Sequence, residues 1–111
     1  MATGEDRRTV EITRNGRKSG NIWTVHTVSY WAGWGDNGQH CYLGASTLAW
    51  AVYEALDPGK HDDDALIESV TINGKAADYA TLEKHISKAC SGVLSYKRAK
   101  LLERVEHFKA V

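Results

Sequence analysis

Cys41 is the residue in this chain best suited to nucleophilic chemistry. It lies shortly before a helix expected to begin at Ser46, and a helix N-terminus lowers a thiol pKa. A cysteine hydrolase or transferase needs a thiolate, an imidazole base and an oxyanion donor. Cys41, His61 or His85, and Gln39 can be cast in those roles. Against this, His40 faces away from Cys41 if the segment is a strand. Nothing in the spacing brings His61 or His85 close, and the local residues match no nucleophile signature. A cysteine buried for packing needs fewer assumptions.

The aromatic residues are concentrated. Seven of them, Trp23, Tyr30, Trp31, Trp34, Tyr42, Trp50 and Tyr53, fall in one stretch of the chain. On a strand Tyr30 and Trp31 occupy opposite faces. Trp34 returns to the face of Tyr30 unless Gly33 shifts the phase. A domain of 111 residues has too little interior for every indole, so some ring surface should face water. Exposed Trp and Tyr side chains anchor protein interfaces and also stack nucleobases. The plainer reading is a bulky core with the N–H and O–H tips at the surface.

Metal and phosphate chemistry find little support. Cys41 and Cys90 stand alone, and His26, His40, His61, His85 and His107 form no pair at i, i+3 or i+4. His61-Asp62-Asp63-Asp64 lacks the Gly and the distant Glu of a calcium loop, so it reads as a solvated acidic loop. Gly33, Gly35 and Gly38 do not precede a Lys-Ser/Thr pair. No cofactor is expected. Basic residues cluster at Arg7, Arg8, Arg14, Arg17 and Lys18, and again at Lys97, Arg98, Lys100 and Arg104. They would touch phosphate if the fold set them on one face. Glu103 and Glu106 among the second group suit ordinary helical pairing.

The elements that must position these residues can be read from periodicity. Val10 and Ile12 alternate with Thr9, Glu11 and Thr13, which predicts a strand from Thr9 to Arg14. Asn15-Gly16 is a hairpin signal, with Gly20 able to close a longer loop. Residues 21–34 are β-branched or aromatic at most positions, and Gly33 and Gly35 suggest a bulge. Asp36-Asn37-Gly38 is expected to turn the chain into a strand over Gln39–Leu43. A competing helix carries Cys41, Ala45, Leu48, Val52 and Leu56 on one stripe, but Gly44 inside it would cost about 1 kcal/mol. The hairpin is therefore preferred.

From Ser46 a helix is predicted to Leu56, ended by Asp57-Pro58-Gly59. Leu66–Ile72 alternates as a strand, and Asn73-Gly74 turns it. Asp78 should cap a helix to Cys90 with Leu82, Ile86 and Ala89 inward, and Ser91-Gly92 should close it. Ser95 should cap a last helix bearing Leu101, Leu102, Val105 and Phe108.

The predicted fold is α+β, in the order β-β-β-α-β-α-α, with an antiparallel sheet and the helices packed on one face. One domain over residues 1–111 is expected, with residues 1–6 frayed. Fourteen basic residues balance fourteen acidic ones, so no global field draws in nucleic acid or membrane. No run of about 18 apolar residues predicts a membrane span. An N-terminus without an apolar stretch favours the cytoplasm, where two thiols stay reduced.

The preferred function is non-enzymatic docking on a larger protein, of the inhibitor or adaptor type that phages and mobile elements encode. Tyr30, Trp31 and Trp34 would be the anchors, with Asp62, Asp63 and Asp64 as a charged flank. A Cys41 hydrolase or transferase and a nucleic-acid-binding domain are the alternatives. A homodimer through the same aromatic face stays open.

Overall fold

The computed structural model describes residues 7–17, 20–31, 36–45, 47–57 and 66–110. Five strands form one sheet in the order β3-β2-β1-β4-β5. They are β1 (Arg7–Arg17), β2 (Gly20–Trp31), β3 (Asp36–Ala45), β4 (Leu66–Ile72) and the short β5 (Lys75–Ala76). The helices are α1 (Leu48–Leu56), α2 (Tyr79–Ala89) and α3 (Ser95–Arg104), with 3₁₀ turns at Gly92–Leu94 and Glu106–Ala110. The α+β class and the order of the major elements are as expected.

The sheet is mixed rather than purely antiparallel. β1–β2, β2–β3 and β4–β5 pair antiparallel, whereas β1 and β4 run parallel. β3 and β4 therefore run in the same direction, and a same-direction return needs a long crossover, here carrying α1. That crossover places β4 on the far side of the first hairpin.

Two turns differ from expectation. The β1–β2 ladder runs through Asn15↔Ile22 and Gly16↔Asn21 to Arg17↔Gly20, so the chain reverses after Arg17. Cross-strand bonds from Arg14 Nη2 to Asn21 Oδ1 (2.6 Å) and from Asn15 Nδ2 to Thr24 Oγ1 keep Asn15-Gly16 in the strand. Likewise Asp36, Asn37 and Gly38 are already paired, with Trp31, Tyr30 and Ser29. The Gly33 and Gly35 bulge lies outside the described residues. A bulge does occur at Gly44, where the register slips between Thr24↔Leu43 and Trp23↔Ala45. Its φ of +113° is one that glycine adopts freely and that no helix contains, which decides residues 36–45 as strand.

Thr47 caps α1, accepting a hydrogen bond from Trp50 N at 3.2 Å; Ser46 lies outside the described residues. Asn73-Gly74 makes the expected two-residue turn, with φ of 53° and 82°. Asp78 caps α2 through Thr81 N at 2.9 Å. Ser95 is the first residue of α3 rather than its cap, because the turn at Gly92–Leu94 leads directly into the helix.

One sheet face carries the core. Val10, Ile12, Trp23 and Val25 are buried there against Val52 and Leu56 of α1. Ala49, Ala51 and Ala55 are also buried, and their small side chains let α1 lie between the sheet and the outer helices. Leu82, Ile86, Leu101 and Val105, each 0% exposed, close the far side. In β4 the simple alternation fails. Ile67 and Val70 are both buried because the register against β1 slips between Arg8↔Ile67 and Thr9↔Ser69. Glu68 is the extra residue, and the slip turns Val70 onto the core side.

Candidate functional site

Two of the six residues expected at a partner surface have a described backbone position. Tyr30 and Trp31 pair with Asn37 and Asp36 at the far end of the β2–β3 hairpin. The last pair joining β1 to β2 is Arg8↔Ser29. Past that row Arg7 of β1 still pairs with Leu66 of β4, while Tyr30 and Trp31 are paired on the β3 side, next to the loop end of the hairpin. Trp34, Asp62, Asp63 and Asp64 lie outside the described residues, as does His61.

Elsewhere the rings divide between core and surface. Trp23 is buried and its Nε1 has no hydrogen-bond partner. Trp50 is 37% exposed and stacks at a tilt on buried Tyr53, centroids 4.8 Å apart. The Lys97 ammonium lies 5.5 Å from the Tyr53 ring centroid and 3.3 Å from an Asp57 carboxylate oxygen. The Tyr53 hydroxyl and the Asp57 carboxylate together raise the Lys97 pKa above its ordinary value. This cluster ties α3 to α1 and consumes Lys97. Val93 (90% exposed) and Tyr96 (69%) are apolar surface that the helical stripe of Leu101 and Val105 does not use. Their phase, off that stripe, was the available signal.

The basic groups are largely occupied within the fold. Arg8 is buried, Arg14 bonds Asn21, and Arg98 Nε donates to Ser87 Oγ at 2.9 Å. With Lys97 also engaged, these four cations each have a place within the fold.

An open groove of about 390 Å³ lies beside β4, between Val70 and Phe108, with Glu68, Asp78 and His107 on its wall. The His107 Nε2 contacts the Ile67 carbonyl at 2.7 Å; an acceptor there makes Nε2–H the donor. Asp78 is held below the usual carboxylate range by the Thr81 backbone N–H it accepts. Both groups are thus used to hold the chain together.

The opposite sheet face, free of helices among the described residues, has a different composition. Register places Glu11 opposite His26, and His26 opposite Cys41. Paired residues share a face, so the three form one row across β1, β2 and β3. The His26 Nδ1 lies 3.4 Å from Glu11 Oε2, with side-chain exposures of 32% and 55%. Gln39 pairs with Val28, one row along on the same face. His40 pairs with Thr27 in the row of Val10, on the covered face. His85 stands on α2, also on the covered side. Among the described histidines it is His26 whose register position adjoins that of Cys41. Only strand register could have revealed it.

No family model, curated protein or solved structure matches the chain. Among the described residues no group of three His, Cys, Asp or Glu could hold a metal ion, and no helix is long and apolar enough to cross a membrane.

Proposed function

We propose that this protein docks on a larger protein partner through the tip of the β2–β3 hairpin, as an inhibitor or adaptor. The supporting observation is that Tyr30 and Trp31 occupy the two register positions beyond the last β1 pair. Aromatic residues near the loop end of a hairpin cost little folding energy to present. They bury large, rigid surface when a partner covers them. Trp34 and the acidic run Asp62, Asp63 and Asp64 complete the proposed surface as anchor and charged flank. A free, buried Cys90 thiol suits a reducing cytoplasm as the place of action.

The test compares wild type with Tyr30→Ala/Trp31→Ala. The tagged proteins capture partners from cells of the native source, and the captured protein is then purified and its affinity measured directly. The double variant should keep the wild-type melting curve and weaken that affinity at least about 100-fold, as loss of two anchors implies. Equal affinity would refute the proposal.

A further inference from the structure

We propose that the groove beside β4 receives an arginine side chain carried on an extended segment of a partner protein. This surface is separate from the hairpin tip, and neither reading depends on the other. The groove, of about 390 Å³, joins the carboxylates of Glu68 and Asp78 to the apolar side chains of Val70, Ala77 and Phe108. A long side chain with an apolar stem and a cationic end matches that combination of surfaces. Among the described residues no Lys or Arg lines the groove. Lys109, next along the chain from Phe108, is directed elsewhere, its ammonium 4.6 Å from the Tyr79 ring centroid.

The sign of the groove follows from its wall. Asp78 accepts the Thr81 backbone N–H at 2.9 Å, which holds its carboxyl below the usual carboxylate range. Capping α2 therefore keeps the negative charge in place rather than removing it. The N-terminus of α2 brings about half a positive charge to the same place. That is less than the full charge of Asp78 alone, and the exposed Glu68 adds a second carboxylate. Arginine suits this wall better than lysine. Its planar guanidinium presents a fork of donors to carboxylates and stacks against a ring such as that of Phe108.

The strand edge explains why the side chain should come on an extended segment. On its outer edge β4 is paired by β5 at Thr71 and Ile72, and Ala77 N donates to the Val70 carbonyl at 2.8 Å. The chain then leaves the sheet to begin α2 at Tyr79. Further back, His107 Nε2 contacts the Ile67 carbonyl. Between these two contacts the groove follows Glu68 and Ser69, where no described strand lies alongside β4. So short an edge adds few ladder bonds, and the charged side chain must carry the specificity. An open groove also leaves one side of its occupant in water. Small-molecule sites bury roughly 70–90% of the ligand, so a side chain on a longer chain fits better.

The test titrates the whole protein with the acetylated, amidated peptide Val-Thr-Arg-Thr-Val and with its Lys and Gln counterparts, followed by backbone amide NMR. The Arg peptide should shift the Ser69, Val70, Ala77 and Phe108 amides together, with one Kd. The Gln peptide should bind at least about 10-fold more weakly, and the Lys peptide between the two. Asp78→Asn retains a cap acceptor, so its melting curve should match wild type while its Kd for the Arg peptide rises at least about 5-fold. Glu68→Gln should weaken binding in the same direction. Absence of shifts at the groove amides with millimolar Arg peptide would overturn the proposal. So would equal Kd values for any two of the three peptides, or an affinity that neither variant changes. Agmatine, a guanidinium on a bare alkyl stem, should bind more weakly than the Arg peptide; equal affinity would overturn the assignment to a protein segment.

Discussion

Asn73 offers the sharpest quantitative test of how β4 is held beside β1. Its backbone N–H donates to the Ile12 carbonyl at 2.7 Å, and its side-chain Oδ1 accepts from Arg14 N at 3.0 Å. The residue also has φ of +53°, a conformation that Asn tolerates and Ala does not. Asn73→Ala keeps the backbone bond and loses the side-chain bond, worth about 1 kcal/mol at an exposed site. It also places an alanine in the left-handed region, at about 1–2 kcal/mol. The sum is a loss of about 2–3 kcal/mol, or a fall in Tm on the order of 10 °C. Asn73→Asp retains both the acceptor and the tolerance of positive φ, so it should lose less than about 1 kcal/mol. Urea unfolding of the three proteins, with midpoint and slope fitted together, reads the difference. An Asn73→Ala midpoint within error of wild type, or equal losses for the two variants, would show that Asn73 does not clamp the β1–β4 pair.

Two further outcomes follow from the same geometry. His85 is held below the ordinary histidine pKa by burial first, then by the Lys84 and Lys88 charges. The unfolded chain therefore takes up the proton before the folded one. Stability from this group is full above about pH 6.5 and declines as pH falls toward the lower folded value; urea midpoints between pH 7.5 and 5 should show a slope that His85→Gln reduces, and an unchanged slope would count against it. Leu101→Ala, at a site 0% exposed, should cost about 2–5 kcal/mol. Tyr96→Ala, at 69% exposure, should stay within about 0.5 kcal/mol, and comparable losses in thermal or urea unfolding would contradict the packing described.

Local chemistry made several elements readable from the residues alone. Asn73-Gly74 combines the two residue types that accept positive φ, and the turn forms there. Asp78 offers a carboxylate at the one position where α2 has free backbone N–H groups. The 3.6-residue spacing of Leu82 and Ile86 names their inward face without reference to any partner. Leu66–Ile72 carries enough β-branched residues to be a strand in any surroundings. Each of these is decided within a few residues, so the sequence by itself determined them.

What depends on distant partners was not readable. Asn15-Gly16 has the composition of a turn, yet the long β1–β2 ladder and its cross-strand bonds outweigh that local preference. Alternation in β4 could not show that Ile67 and Val70 are both buried, because a bulge is a property of a strand pair rather than of one strand. That β4 lies parallel to β1 follows from the crossover through α1, which no local pattern encodes. The row of Glu11, His26 and Cys41 is the clearest case. Those residues are far apart in sequence, and only the registers of two separate strand pairings set them side by side. Periodicity assigns a residue to a face, but neighbours across a face are chosen by tertiary pairing, where a shift of one residue would exchange the whole row.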